Sequence, residues 1–328
     1  MHEGLRKIIL ATDPLQLLSF TVLQQAVHLQ TCLFFMHVKT KTFIIIYLFT
    51  GSLHAQPGNA YQPDFSIPAD KAGYTLVWHD EFNNTGRPDT ANWKYENGFV
   101  RNEELQWYQP ANANCKNGVL LIEGKREKIK NKKYDVASKD WRLNREYAEY
   151  TSASIQTRDL HQWQFGCFEV RARIDTATGA WPAIWTLGEK GEWPSNGEVD
   201  MMEFYRIKHE PVILANVAWG TGKQYVAKWH TEIKPLTHFL EKDAEWVKNF
   251  HLWRMEWNKD SIKLFLDDEL LNVTALDATL NTDGTNPFLQ PHYILLNLAL
   301  GGNGDDPSGT ARPITYEIDY VRVYQKQE

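Results

Sequence analysis

The sequence predicts an all-β protein, a sandwich or jelly roll built from many short strands. Apolar and polar residues alternate with period two in short segments, and turn residues separate these segments. Helical periodicity is found at most once, over 241–249. In about 270 residues without an internal repeat, this combination indicates one large domain rather than two.

The expected strands follow one another between 118 and 325. In 168–173, Phe168, Val170 and Ala172 share one face, and charged residues occupy the other. The other segments are 118–124, 152–157, 181–187, 212–219, 250–257, 261–267, 292–299 and 315–325. The basic stretch 125–133 is interpreted as a solvated loop between strands.

The first 55 residues have the order of parts found in an export signal. A basic stretch after Met36 precedes an apolar run over 43–49, and small residues at 53–55 offer a cleavage site. The apolar run is too short for a membrane span, which needs about 20 residues. We therefore expect a soluble protein, secreted or periplasmic, without stable membrane insertion.

These signals predict the division of the chain. Residues 1–55 form a leader, in which 36–55 are the signal peptide and 1–35 an artefact of start assignment. A proline-containing lead-in covers 56–70, and a single domain covers 71–328. N-terminal sequencing of the exported protein tests the first boundary, and a mature terminus upstream of Met36 would contradict it.

Composition narrows the function. The formal charge is −6, with 23% charged residues, so neither a disordered acidic tail nor a basic nucleic-acid binder is expected. We also expect the protein to be a monomer. All 13 tryptophans lie after residue 55, a large number for core packing alone.

Two cysteines remain beyond the leader, Cys115 and Cys167, and the sequence leaves open whether they form a disulfide.

Three carboxylates lie within one otherwise apolar segment, 197–205. Burying Glu198, Asp200 and Glu203 is costly unless their charge is used. In a regular strand Glu203 would point away from the other two, and one extra residue, a β-bulge at 201–202, returns it to their face. We therefore expect three carboxylates side by side.

This spacing suits a double displacement at a sugar. Retaining glycosidases hold two carboxyl groups about 5 to 5.5 Å apart, one as nucleophile and one as acid and then base. We assign Glu198 as nucleophile and Glu203 as acid/base, with Asp200 assisting: it can hydrogen-bond Glu198, and its negative charge favours protonated Glu203. Trp181, Trp185 and Trp193, just upstream, suit the flat faces of sugar rings, although period alone also allows core positions.

At this point the residues resemble glycoside hydrolase family 16, in its laminarinase-like version with the bulge residue. The resemblance extends beyond 198–203 over nearly all of the chain after the leader. The similar segments are 76–82, 100–108, 166–173, 181–185, 296–302 and 319–324. It implies a concanavalin-like β-sandwich jelly roll whose concave sheet forms an open cleft, and an endo-acting, retaining hydrolase of β-1,3- or mixed β-1,3/1,4-glucan that needs no catalytic cofactor.

The resemblance also implies binding residues. Trp185 and Trp193 are similar to tryptophans around the subsite next to the cut, and Asn102 to a sugar-binding asparagine. Trp219 is expected to line the cleft as well. Asp319 matches the aspartate that holds a structural calcium ion on the convex face of many members.

One departure affects the substrate. Laminarin-cleaving relatives commonly carry His-Trp where this chain has Ala218-Trp219, and that histidine would lie near the leaving group. Agarose, porphyran, carrageenan and mucin-type galactosyl chains are alternative substrates within the family. A non-catalytic lectin of the same fold is the alternative from another class, although a pure binder has no need of the paired glutamates.

Overall fold

The computed structural model describes residues 60–327, so the expected leader lies outside the described residues. Within this range the chain forms seventeen β-strands, two short α-helices and five 3-10 turns. The strands are β1 Tyr74–Asp80, β2 Lys94–Tyr95, β3 Gln106–Tyr108, β4 Ala113–Lys116, β5 Val119–Lys130, β6 Tyr147–Ser152, β7 Ser154–Gln156, β8 Gly166–Ile174, β9 Ala180–Gly188, β10 Glu198–Ile207, β11 Glu210–Gly220, β12 Ala227–Pro235, β13 His251–Trp257, β14 Ser261–Leu266, β15 Glu269–Ala275, β16 His292–Leu300 and β17 Ile314–Lys326. The helices are α1 Trp141–Asn144 and α2 Thr237–Leu240, and the 3-10 turns are Pro110–Asn112, Trp246–Lys248, Leu276–Ala278, Gly302–Gly304 and Pro307–Gly309.

The strands form two sheets. The larger sheet has the order β15-β14-β13-β8-β17-β5-β6-β3, with β1 paired to β17 and β4 paired to β5. The smaller sheet has the order β12-β11-β10-β9-β16-β7-β2. This sandwich confirms the all-β jelly-roll prediction.

Alternating residues of the two sheets fill the core between them. On β8, Phe168, Val170 and Ala172 are all buried in it, as their shared face predicts. Trp253 and Trp257 alternate along β13 and also pack in this core. These two tryptophans are therefore packing residues of the core.

The expected loop at 125–133 is wrong. Strand β5 continues through Lys130 and pairs with β6, including Lys125 with Thr151 and Lys130 with Tyr147. Backbone pairing extends the strand past the region where one face is buried, so its exposed residues carry no apolar alternation.

The expected helical periodicity at 241–249 is also wrong. Helix α2 ends at Leu240, and only a 3-10 turn over Trp246–Lys248 falls inside the interval. The Asp243 carboxylate accepts hydrogen bonds from the Glu245 backbone N–H (2.9 Å) and the Asn249 amide (2.8 Å). Such side-chain bonds satisfy polar groups locally and compete with a continued helix.

Cys115 and Cys167 are both free thiols, buried in β4 and β8. Burial raises the pKa of each thiol to about 12, so neither is a reactive thiolate near neutral pH. None of the helices within 60–327 has the length and apolar character required to cross a membrane.

Candidate active site

A bulge in β10 brings the three carboxylates to one face. Asp200 pairs with Asn216 of β11 and Glu203 with Leu214, so β10 has one residue more than its partner over this interval. The register with β9 shifts at the same place. Met201 and Met202 are both buried in the core, a consequence of the extra residue. The predicted bulge is confirmed, and it turns all three carboxylates toward the concave side.

The concave face of the smaller sheet is an open cleft of about 1160 Å³. Its floor contains alternate residues of β9, β10 and β16, and loops before β3 and after β16 form part of its walls. Glu198, Asp200 and Glu203 all line it, together with Trp181, Trp185, Trp193 and Asn102. The residues that the sequence predicted to line the cleft are thus brought together, with the exception of Trp219.

Each glutamate has its own indole donor. The Trp193 Nε1–H donates to Glu198 Oε2 at 2.6 Å, and the Trp181 Nε1–H donates to Glu203 Oε1 at 2.9 Å. The Asn216 amide nitrogen lies between the carboxyl groups of Asp200 and Glu203, 3.0 Å from Asp200 Oδ2 and 2.9 Å from Glu203 Oε2. Donors therefore hold the two glutamates in fixed positions on the cleft floor.

Burial raises the pKa of all three carboxyl groups. For Glu203, burial and the negative charge of Glu198 raise the pKa to about 7, against opposing hydrogen bonds from Trp181 and Asn216. For Asp200, burial and the charges of both glutamates raise the pKa well above its usual value. The pKa of Glu198 is raised by burial and held back by hydrogen bonds from Trp193 and Asp200.

These directions correct the expected role of the Asp200 charge. Asp200 acts on Glu198 and on Glu203 through hydrogen bonds that lower the pKa of both groups, and not through a negative charge that raises the pKa of Glu203. The charge that favours protonated Glu203 comes instead from Glu198. The expected hydrogen bond between Asp200 and Glu198 is present.

A polar network lies on the β9–β16 side of strand β10. Trp185 donates from Nε1 to Asn297 Oδ1 at 2.7 Å, and Asn297 donates to the Tyr108 hydroxyl at 3.1 Å. The Arg101 guanidinium lies 5.0 Å from the centroid of the Trp185 ring and pairs with Glu96. Buried donors and acceptors of this kind fix the wall that would contact sugar hydroxyls.

Asn102 also stands at this wall. Its backbone is left-handed (φ 55°), a conformation that asparagine tolerates better than most residues. Its amide nitrogen lies 3.3 Å from Oε1 of the buried Glu104, which also accepts from Gln106 and Tyr108. Asn102 is thus positioned at the cleft by a local network.

The expectation that Trp219 lines the cleft is wrong. In β11 the residues that face the cleft alternate with core residues, and Asn216 faces the cleft. Trp219 therefore lies on the opposite face, with Val217, in the core. The tryptophan that lines the cleft on this side is Trp229 of β12.

Several cleft residues were not singled out from the sequence. Arg101 and Asn297 contact residues far along the chain, and Asn216 contacts Glu203 across the β10–β11 pair, so no local pattern marks these three residues. Trp229 did leave a signal, because 227–235 alternates apolar and polar residues as a half-exposed strand does.

The residues around Asp319 do not fit the expected calcium ion. The Asp319 carboxylate is buried in β17, where it pairs with the Arg171 guanidinium and accepts from the Asp64 backbone N–H at 3.0 Å. A guanidinium in contact with the carboxylate repels a cation at that place. Within 60–327, no group of three or more histidine, cysteine, aspartate or glutamate side chains is arranged to hold a metal ion.

A jelly-roll sandwich with paired carboxyl groups in an open cleft defines a class of glycan-hydrolysing proteins. The family model for glycosyl hydrolases family 16 matches residues 123–322. The chain belongs to this family, whose enzymes hydrolyse glycosidic bonds.

Known relatives are similar over most of this chain. The glucan endo-1,3-beta-glucosidase A1 of Niallia circulans is 32% identical over 311 residues, 86% of this chain and 43% of that protein, so the chain spans less than half of this relative. The beta-glucanase of Rhodothermus marinus is 34% identical over 285 residues, 78% of this chain and 87% of the relative. A solved structure from work on endo-acting O-glycanases with which human gut bacteria initiate mucin breakdown has a TM-score of 0.72 and 36% identity, covering 80% of this chain and 95% of that one.

Proposed function

We propose that this protein is a retaining endo-β-glycosidase in which Glu198 is the nucleophile and Glu203 the acid/base. One observation carries the proposal: the bulge places both glutamates on the cleft face of β10, with Asp200 between them and a separate indole donor on each. Two carboxyl groups on one face, in different environments, are what a double displacement requires.

The first step cuts the glycan. Glu203, with a pKa of about 7, retains its proton in mildly acidic solution and donates it to the glycosidic oxygen. The Glu198 carboxylate attacks the anomeric carbon from the opposite side, forming a glycosyl ester as the leaving sugar departs with the proton. Hydrogen bonds from Trp193 and Asp200 stabilise the ionised form of Glu198 before the attack.

The second step restores the enzyme. Glu203, now ionised, takes a proton from a water molecule, and the resulting hydroxide oxygen attacks the anomeric carbon of the ester. Glu198 leaves as a carboxylate, and two inversions leave the product with its original configuration. The cleft is lined from both flanks of β10, which supports binding within a chain rather than at its end.

We propose β-1,3-glucan or mixed β-1,3/1,4-glucan as the substrate. The glucan-cleaving relatives, similar over 78% to 86% of this chain, support this class. A second candidate is a mucin-type or related galactosyl chain. Ala218, next to Glu198 in the sheet, favours this candidate because laminarin-cleaving relatives commonly carry a histidine at that position. The 36% identity to the structure from the O-glycanase work also favours it.

Rescue by azide tests the catalytic roles. With Glu203→Ala, hydrolysis should fall by about 10²-fold or more, and azide should trap the glycosyl ester as a β-glycosyl azide. With Glu198→Ala, azide should replace the missing nucleophile and give the α-glycosyl azide. Glu192→Ala, which removes an exposed glutamate of the preceding loop, is the control and should keep full activity.

Unchanged hydrolysis in either active-site variant would overturn the assignment, as would a product of inverted configuration. A panel of laminarin, lichenan, agarose, porphyran and mucin glycans, followed by product sizing, tests the substrate. Oligosaccharides as early products support endo cleavage, whereas release of monosaccharide alone contradicts it. Binding to a glycan of the panel without cleavage of any would indicate a lectin.

We also propose that the protein is exported through the signal at 36–55, which lies outside the described residues. The order of basic, apolar and small residues in this stretch supports the proposal. Expression of the full chain and a chain starting at Gln56 tests it. Export and processing of the full chain alone would support the signal, and equal export of both would contradict it.

A further inference from the structure

An exposed aromatic pair stands on the β11–β12 flank of the cleft. Trp229, on the edge strand β12, keeps 47% of its surface exposed, and Tyr225, just before the strand, keeps 69%. Both line the same cleft as the catalytic carboxylates. By contrast, Trp181 and Trp185 on the other side are only 8% exposed and are tied into hydrogen bonds.

The sheet register places Trp229 in line with the proposed nucleophile. Glu198 pairs with Ala218 of β11, and Ala218 pairs with Trp229 of β12. These three residues form one row across the concave face. Because Ala218 contributes only a methyl group, no bulky side chain stands between the carboxylate and the indole in this row.

We propose that Trp229, with Tyr225, forms a stacking subsite for the hexopyranose unit on the leaving-group side of the cleaved bond. The inference rests on the proposed function. Single exposed apolar side chains are common on protein surfaces, whereas exposed aromatic residues grouped in one cleft are typical of a ligand-binding site. The C–H face of a pyranose ring is the matching surface in a glycan cleft, and the nearby Thr231 hydroxyl, which also lines the cleft, can bond a sugar hydroxyl.

The contrast between the two flanks identifies the leaving-group side. In a double displacement the sugar that becomes the ester must be held through both steps, whereas the leaving sugar departs first and water takes its place. The β9–β16 flank, with its fixed network around Trp185, Asn297 and Arg101, suits the retained sugar. The solvent-exposed β12 edge suits a sugar that binds by stacking and then dissociates.

Two substrates with the same retained sugars but different leaving groups test this inference. The first is the polymer cleaved in the panel, laminarin for a glucanase. The second is the β-fluoride of the disaccharide found at the reducing end of its products, laminaribiosyl fluoride in the case of laminarin. Fluoride leaves as a single ion and has no ring to stack, so only the polymer uses the subsite.

For Trp229→Ala, we expect kcat/KM on the polymer to fall about tenfold, which corresponds to about 1.4 kcal/mol, while hydrolysis of the fluoride stays unchanged. Tyr225→Ala should have a smaller effect of the same kind, and Trp229→Phe, which keeps a ring, should retain most of the activity. Ile233→Ala is the matched control, because Ile233 follows Trp229 on the exposed face of β12 but does not line the cleft.

Equal loss on both substrates, or no loss on the polymer, would overturn the subsite. A change in sedimentation of Trp229→Ala without a change in polymer cleavage would also overturn it and assign the ring to contact between copies of the chain. Failure of the proposed function is distinct, since the wild-type protein would then hydrolyse neither substrate. A thermal melt of each variant separates loss of folding from loss of binding.

Discussion

The indole of Trp181 and the carboxylate of Glu203 are joined by a hydrogen bond of 2.9 Å across the β9–β10 pair. This bond opposes burial, which raises the pKa of Glu203 to about 7. The donor that shapes the cleft wall therefore also sets the protonation of the proposed acid. A single side chain thus links the geometry of the cleft to its pH dependence.

The pH profile of the wild-type enzyme should be bell-shaped. Glu203 must be protonated at the start of the reaction, so kcat/KM should be lost as the pH rises through about 7. Glu198 must be ionised, and its pKa is raised by burial, so the acid limb should lie above the usual glutamate value of about 4.3. Initial rates between pH 4 and 9 give both limbs, and an alkaline limb well above pH 8 would contradict the assignment.

Trp181→Phe should move the alkaline limb to higher pH. The indole N–H favours ionised Glu203, so its removal makes the carboxyl group harder to ionise. A hydrogen bond to a charged group contributes about 1.5 to 3 kcal/mol, and we expect a shift of about one pH unit. Phenylalanine keeps a ring against Tyr205. A limb that stays in place or moves down would contradict the role of this bond.

Trp193→Phe should move the acid limb instead. Its indole N–H favours ionised Glu198, so the variant needs a higher pH to form the carboxylate, and the limb rises by about one unit. The alkaline limb should stay with Glu203. The two variants thus differ in a simple way: Trp181→Phe widens the bell and Trp193→Phe narrows it. The same change of limb in both variants would show that the indoles do not act on separate glutamates.

The sequence predicted the geometry of strand β10 well, for a physical reason. The period of a strand is two, so the odd spacing between Glu198 and Glu203 required one extra residue if both were to face the cleft. Most strands also followed from alternation, because one of their faces is buried. The fold and the centre of the site were therefore accessible from local pattern alone.

The sequence was least informative where the structure depends on contacts between distant segments or on strands buried on both faces. Strand β11 is buried on both faces, so alternation did not say whether Trp219 or its neighbour Ala218 faced the cleft. The contacts of Arg101 and Asn297 join distant segments, and only the folded sheet brings them together. At Asp319 the type of residue matched a calcium ligand, but the contact with Arg171 comes from a neighbouring strand and is invisible in the local sequence.

The pairing of Asp319 with Arg171 makes a prediction about stability. Asp319→Ala removes the buried acceptor of both the Asp64 N–H and the guanidinium, which should lower the free energy of unfolding by about 2 kcal/mol. For a domain of this size that corresponds to a fall of roughly 4 to 8 °C in Tm. Glu317→Ala on the same strand is the control, because its pair with Arg173 is about a quarter exposed, and the loss should stay within about 1 kcal/mol.

The same melts test for calcium. Because a guanidinium contacts the Asp319 carboxylate, neither EDTA nor added calcium should change the Tm of the wild-type protein by more than the error of the measurement. Scanning calorimetry of both variants with and without chelator gives the comparison. If EDTA lowers the wild-type Tm as far as Asp319→Ala does, and has no effect on that variant, the carboxylate binds calcium and the ion pair does not explain the stability of this strand.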